Sequence, residues 1–499
     1  MSPARQLPLH APATGDALDS VPITEASALG VLAAGAREAQ PQWAARSITE
    51  RAAVLSRVRR WLLENSERVI ATLTAETGKT YEDALFIELA YAVAALSFWA
   101  RHSERYLADE RSLARSPLVI GRRLVTRHVP RGLVGVIGPW NYPLLNSFGD
   151  CIPALAAGNA VILKPSELTP LTSLLIAEGL GECGLPPGVF TVAVGDGGTG
   201  AALVDEVDFV MFTGSIETGR KVAERAAKSL TGFALELGGK DALIVLAGAD
   251  LERAANCAVY YAMVNAGQTC ISIERAYVES AIYDEFTAKL TAKVAALRVG
   301  EPRGAGSVDV GAITSAAQLE LIESHVAEAL AKGARLAAGG SRLEGPGRFF
   351  QPTLLLDADH TMACMTDETF GPTLPVMRVA DADEAVSRVN ESRYGLGAAV
   401  FAPDSESGEA IARRLRVGAV CVNDAAVNYF ALEAPMGGIK QSGIGVRHGA
   451  DGVRKFTQPQ TILITPRWFP RREPHMYPYS RRRTRLLARA LRLVYGRRG

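Results

Sequence analysis

From about Gly132 the chain alternates short, uninterrupted apolar runs with longer stretches in which apolar residues recur every three or four positions. The short runs, 134–137, 160–163, 189–194, 209–212 and 233–237, have the length of buried strands. Between them, 171–180 and 217–229 have helical period. Such alternation predicts an α/β protein with a parallel sheet covered by helices, and ligands beyond the carboxyl ends of its strands. A second series follows, with strands at 243–246 and 275–278, helices at 283–297 and 325–333, and a loop-rich stretch at 300–311. A strand at 461–465 closes it. Upstream, Ser47-Ile48-Thr49-Glu50 is a capping box that opens a helix through Trp61 and Leu63. Another helical region runs from Tyr81 to Tyr106, with Glu82, Asp83 and Glu88 read as exposed. Residues 118–125 read as a hairpin turning near Gly121, and the Pro/Ala-rich residues 1–22 as a mobile arm.

At 499 residues the chain exceeds one ordinary core, and its length suggests about three domains' worth of chain. An apolar share of 48% beside 21% charged residues reads as a soluble globular protein. The formal net charge of +1 gives no overall pull toward nucleic acid. It hides an asymmetry, because residues 467–499 hold eleven Arg and one Glu. Six scattered cysteines point to a reducing compartment without a disulfide framework or zinc site. The N-terminus has no signal-peptide core, and the apolar stretch 89–100 is too short to span a bilayer. The default is a cytoplasmic enzyme that binds no metal.

Candidate chemistry centres on Gly267-Gln268-Thr269-Cys270, a short polar turn presenting a cysteine between apolar segments. Upstream, Leu235-Glu236-Leu237-Gly238-Gly239-Lys240 places a carboxylate inside an apolar strand. Burial raises a carboxyl's pKa toward the range of a general base. A thiol nucleophile with a carboxylate base suits acyl chemistry through a thioester. Cys151, Cys183, Cys257, Cys364 and Cys421 lack such a setting and read as packing. Phe212-Thr213-Gly214-Ser215 runs from strand into helix, where Gly214 and Ser215 lie at a helix N-terminus suited to pyrophosphate.

With these motifs, and with Pro139-Trp140-Asn141-Tyr142-Pro143, Lys164-Pro165-Ser166-Glu167 and Glu368-Thr369-Phe370-Gly371-Pro372, the sequence resembles the aldehyde dehydrogenase superfamily. The resemblance implies a Rossmann-like cofactor domain over 1–111, 131–239 and 438–455, and a second α/β catalytic domain over 240–437. A small β oligomerisation unit at 112–130 and 456–466 would support a homo-dimer or homo-tetramer. The expected reaction is NAD(P)-dependent oxidation of a small-molecule aldehyde to its acid. Cys270 would be the nucleophile, Asn141 an oxyanion donor and Glu236 the base that activates water. Lys164 and Glu167 would hold the adenosine ribose, and the carboxylate tilts the choice toward NAD over NADP. Glu368 and Phe370 would position the nicotinamide end, and Trp140, Ser166 and Leu237 also fall in the cofactor site.

Two departures from the family pattern bear on mechanism. Ala450 stands where many relatives have a second glutamate that relays protons, leaving Asp451 or His448 as substitutes. Gly149 replaces a large aromatic and, with Asn146, predicts a wider substrate pocket unless Phe148 or Phe430 fills it. Two stretches, Cys270-Ile271-Ser272-Ile273-Glu274-Arg275 and Arg447-His448-Gly449, are similar to bacterial succinate-semialdehyde dehydrogenases. Arg275 is no evidence for a substrate-carboxylate clamp, since relatives with uncharged substrates share it. In the tail, Leu486, Leu487, Ala490, Leu491 and Val494 fall at helical spacing with Arg485, Arg489 and Arg492 largely opposite. A basic amphipathic helix of this kind suits peripheral contact with an anionic inner membrane surface.

Overall fold

The structure, a computed structural model, describes residues 5–496. Residues 1–4 of the expected arm and 497–499 of the tail lie outside the described residues. The chain divides into two units, Met1–Leu107 with Val129–Gln458, and Ala108–His128 with Pro459–Gly499.

In the larger unit a six-stranded sheet runs in the order Gly443–Ile444, Gly232–Glu236, Phe209–Thr213, Leu133–Ile137, Ala160–Lys164, Phe190–Val192. Only the Gly443–Ile444 edge is antiparallel. Every residue of Leu133–Ile137, Ala160–Lys164 and Phe209–Thr213 is buried, which is why these strands read as unbroken apolar runs. Leu133–Ile137 lies between Ala160–Lys164 and Phe209–Thr213, so strand order reverses there. The Pro139-Trp140-Asn141 turn leaves the sheet at this switch point, where a crevice opens in folds of this kind.

A seven-stranded sheet runs Arg335–Ala338, Thr353–Leu356, Thr373–Val379, Ile273–Glu279, Asp241–Val245, Gly397–Phe401, Ala419–Val422. The sequence pattern marks only the strands near 243–246 and 275–278. Of the others, four have five residues or fewer, one of them built on Gly397-Ala398-Ala399, and Thr373–Val379 is interrupted by Pro375 and Arg378. The helix expected over 325–333 begins earlier and spans Ala316–Ala331.

Three local expectations are corrected. Residues of the supposed arm form a hairpin, Gln6–His10 with Ala17–Pro22, whose Leu9 and Val21 are buried with Val194. The helical region near 81–106 opens with a wide turn at Asp83–Leu89 and continues as Ala90–Leu107. Asp83 and Glu88 in it are buried rather than exposed, because each has partners. Asp83 accepts from the Asn265 N–H at 3.2 Å. Glu88 pairs with Lys79 and accepts from the N–H groups of Leu144 and Leu145 at 2.8 and 2.9 Å. The combined helix Asp83–Leu107 is long and apolar enough to cross a bilayer, which the 89–100 stretch alone did not suggest, yet it is largely buried in the core.

In the smaller unit, Glu110–Leu113 and Arg123–Pro130 are antiparallel neighbours in a three-stranded sheet that Thr457–Ile464 completes. Residues 118–120 belong to the connecting turn rather than to a strand, with Gly121 left-handed at φ +84°. Arg481–Tyr495 is a helix capped by Ser480, and all its residues are exposed save the half-buried Leu487.

Candidate active site

The Cys270 turn is fixed from several sides. Helix Leu251–Met263 ends at a tight coil in which Asn265, Ala266 and Gly267 all have positive φ. A side chain at Gly267 would collide with the Gly371 carbonyl, so glycine lets the 370–371 loop press against this coil. Gln268 Oε1 accepts from the Thr314 N–H at 2.9 Å, and its Nε2 donates to the Asn265 and Ala312 carbonyls at 2.9 and 3.2 Å. The Tyr142 and Thr269 hydroxyls lie 2.8 Å apart.

Asn141 is held by the same network. Its Nδ2 donates to the Gln268 carbonyl at 2.8 Å. Its own carbonyl accepts from Lys79 Nζ at 2.8 Å and from Asn265 Nδ2 at 3.1 Å. Lys79 is in turn paired with the buried Glu88. Lys79, Glu88 and Asn265 were not legible as site residues. Their signal was a Lys and a Glu nine positions apart around a helix start, which reads equally as a solvated pair. A fixed amide donor aimed at developing oxyanion charge contributes about 3–4 kcal/mol to lowering a barrier.

Glu236 is the last residue of its strand and is buried. Burial pushes its carboxyl up to about 7, against the pull of Arg447 and Lys455. Arg447 Nη1 lies 3.7 Å from Glu236 Oε2. The rest of that guanidinium is bound to Asp150, at 2.9 and 2.8 Å, and to the Thr213 hydroxyl. Of the substitutes expected for the residue missing at Ala450, His448 is turned to the Tyr91 hydroxyl at 2.8 Å and Asp451 is exposed. The ion-pair partner of Glu236 among the described residues is Arg447. Burial also pushes the Cys270 thiol up to about 12, with Arg447 pulling the other way.

Cys270, Glu236 and Asn141 line one end of a groove of about 840 Å³, within the ~300–1,000 Å³ of small-molecule and cofactor sites. Lys164, Ser166 and Glu167 also line it, with Lys164 Nζ 3.2 Å from Glu167. Gly214 and Ser215 line it where helix Ile216–Lys228 begins, and Ser215 caps that helix through the Thr218 N–H at 3.2 Å. Trp140, Leu237, Glu368 and Phe370 complete the predicted set. The Trp140 and Phe370 rings meet edge to face with centroids 5.4 Å apart. Glu368 accepts from the Gly239 N–H at 2.9 Å, and burial with nearby Glu274 pushes its carboxyl up to about 8. Glu274, paired with Lys240 at 2.6 Å, accepts from the N–H groups of Thr369 and Phe370 at 2.7 and 2.9 Å. A cation beside a carboxylate, a helix N-terminus and a half-buried aromatic pair in the groove that holds the thiol form a donor set that fits a dinucleotide.

Cys270 also lines a second, narrow cavity of about 40 Å³ walled by Ile87, Tyr142, Leu145, Tyr261, Tyr429 and Phe430. Among the described residues no Arg, Lys or His lines it. Gly149 is not in its wall, and a Cβ there would sit 3.0 Å from the Tyr91 ring. The expected widening is therefore absent. Tyr91, packed against Tyr429 and Phe430, occupies that region, and Phe148 is buried in the core.

The aldehyde dehydrogenase family model matches residues 1–462. A Mycobacterium ulcerans protein named "Putative succinate-semialdehyde dehydrogenase NADP(+) 2" is 44% identical over 90% of this chain and 86% of its own length. The "4,4'-diapolycopene aldehyde oxidase" of a Methylomonas species is 40% identical over 94% and 87%. The crystal structure of a Mycobacterium tuberculosis aldehyde dehydrogenase complexed with NAD+ superposes with a TM-score of 0.89 at 34% identity, covering 94% of this chain and 96% of that one.

Proposed function

The chain belongs to the aldehyde dehydrogenase family and oxidises an aldehyde with NAD(P), and on that premise we propose how its residues divide the work and which aldehydes it takes. Cys270, as thiolate, adds to the aldehyde carbon, and the carbonyl pair moves onto oxygen. The Asn141 amide and the Cys270 N–H hold that oxyanion. A bound nicotinamide cofactor supplies the hydride acceptor that leaves a thioester on Cys270. Glu236 takes a proton from water, the water attacks the thioester carbon, and the thiolate departs as the acid forms. Glu368 and the Trp140–Phe370 pair orient the cofactor's reactive end against Cys270.

The preferred substrate is an apolar aldehyde, aliphatic or aromatic. The observation that carries this is the second cavity, whose wall is mainly apolar and aromatic, with Asn146 and Thr269 as its uncharged polar members and no cation among the described residues. A substrate carboxylate would need a cationic clamp there. Arg275 is buried elsewhere, bonded to the Lys240 carbonyl at 3.0 Å, and Arg447 is taken by Asp150. Succinate semialdehyde, named for the Mycobacterium relative, is the alternative; the Methylomonas relative is named for another aldehyde. Steady-state assays with hexanal, benzaldehyde and succinate semialdehyde should give the apolar pair at least ~10-fold higher kcat/KM, about 1.4 kcal/mol. A higher value for succinate semialdehyde overturns the substrate reading.

The cofactor proposed is NAD in preference to NADP. The support is Glu167, whose carboxylate beside Lys164 would repel a 2′-phosphate, although the Mycobacterium relative carries NADP(+) in its name. Glu167→Ser should narrow the preference for NAD. A wild-type kcat/KM larger with NADP than with NAD would count against this role of Glu167.

A further proposal concerns location and assembly. The three-stranded sheet leaves Glu110–Leu113 exposed along its outer edge, which suits pairing between subunits of a homo-oligomer. The helix Arg481–Tyr495 rests on an anionic membrane surface. Leu486, Leu491 and Val494 are 60%, 49% and 51% exposed. Helical spacing puts Arg485, Arg489 and Arg492 largely on the opposite side, each worth ~1 kcal/mol near anionic headgroups. At low salt the full chain should co-sediment with phosphatidylglycerol vesicles, and a chain ending at Pro466 should not. Equal sedimentation of the two removes the membrane reading.

A further inference from the structure

The chemistry proposed for Glu236 leaves open what holds it, since the side chain at Ala450 carries no charge. Glu236 has one ion-pair partner among the described residues, the Nη1 of Arg447 at 3.7 Å. That guanidinium is not free to wander. Its Nε and Nη2 form a fork on Asp150 at 2.9 and 2.8 Å, and Nη2 also meets the Thr213 hydroxyl. Arg447 and Asp150 are both buried. The backbone reinforces the arrangement. The Arg447 N–H donates to the Met436 carbonyl at 2.6 Å, and Arg447's carbonyl accepts from the Met436 N–H at 2.9 Å. Just upstream, Gly443 pairs with Glu236 across the sheet edge.

Two of the guanidinium's nitrogens are thus spent on Asp150, and the third is directed at the carboxylate of the base. We propose that Arg447, clamped by Asp150, is a positioning residue that orients the Glu236 carboxylate and keeps it ionised for attack by water. This rests on the reading of Glu236 as the deacylating base.

The groups facing Glu236 are the cations Arg447 and Lys455, the carboxylate of Asp150 and the Cys270 thiol. Lys455, held by the Val446 carbonyl at 3.1 Å, acts on Glu236 by charge alone, and because burial pushes its ammonium down to about 8 that influence fades only at the alkaline end, above the acid limb. The signs around Glu236 then oppose each other. Arg447 favours its ionised form and Asp150 disfavours it, so loss of Arg447 moves its titration up in pH and loss of Asp150 moves it down.

The test uses acyl-enzyme made on the full-length protein with p-nitrophenyl acetate, its decay followed by intact mass from pH 5 to 9. Wild type should show an acid limb set by Glu236. Arg447→Met should shift that limb up by about one unit, slowing decay ~10-fold at pH 6. Asp150→Asn should shift it the opposite way, and Arg447→Lys, which keeps the charge, should stay nearer wild type. A merely structural lesion would not move two members of one ion pair in opposite directions. Shifts of the same sign, or none, overturn the proposal, and either variant alone gives a sign if the other fails to fold. Glu236→Gln run in parallel separates the two readings. A limb that survives in that variant refutes Glu236 as base, whereas a limb lost there but unmoved in Arg447→Met refutes only the role of Arg447.

Discussion

Cys270→Ala is expected to abolish aldehyde oxidation, by on the order of 10⁴-fold or more, because Cys270 is the one thiol among the described residues lining the groove and only a thiol can carry the thioester. Cofactor binding should change little. Cys270 touches the dinucleotide groove only at the end it shares with the narrow cavity, while Lys164, Glu167 and Ser215 are untouched by the substitution. Fluorescence titration with NADH should therefore give a Kd within about threefold of wild type, about 0.65 kcal/mol. The five remaining cysteines cannot take over. Cys151, Cys183, Cys364 and Cys421 are buried, Cys257 is partly so, and none lines the groove or the narrow cavity. Oxidation above a few per cent of wild type, at unchanged protein purity, would sink the assignment of the nucleophile.

Glu236→Gln is the second large effect. Glutamine keeps the shape of the side chain but cannot accept a proton, so deacylation should slow by ~10²–10⁴-fold. Acylation needs no activated water, and a Cys270 thioester should accumulate and appear as a mass increment under turnover. The pH dependence has a definite sign. Burial lifts this carboxyl to about 7, so the competent carboxylate is depleted below that pH and the wild-type rate should rise as pH climbs through it. The variant should lose that rise. Normal steady-state rates without an acyl adduct would remove Glu236 from the mechanism.

The parts of the site legible in the sequence are those whose chemistry contradicts their surroundings. Glu236 stands out as a carboxylate in an apolar strand, and Cys270 as a thiol in a glycine-led polar turn. Both lie in the groove with every cofactor residue named from the motifs. What escaped depends on partners far apart in the chain. Glu88 has the spacing of a solvated helix charge and is buried, since its partners Lys79, Leu144 and Leu145 come from other segments. Gly149 suggests an opening, but the space it leaves belongs to Tyr91, 58 positions earlier. Five strands of the second sheet escaped for a different reason. Four of them have five residues or fewer, and the fifth, Thr373–Val379, is interrupted by Pro375 and Arg378, so their neighbours more than their composition make them strands.

The position of Gly443–Ile444 at the sheet edge, with Gly443 opposite Glu236, gives the chain an order of completion during its synthesis. The thiol at 270 leaves the ribosome long before the segment 443–447 that closes the strand of the base and brings it its arginine. A chain interrupted between these points would carry a nucleophile without a finished means of releasing its product. Every residue lining the groove and the narrow cavity, by contrast, precedes residue 465, so a chain ending at Pro466 is expected to keep its catalytic rate.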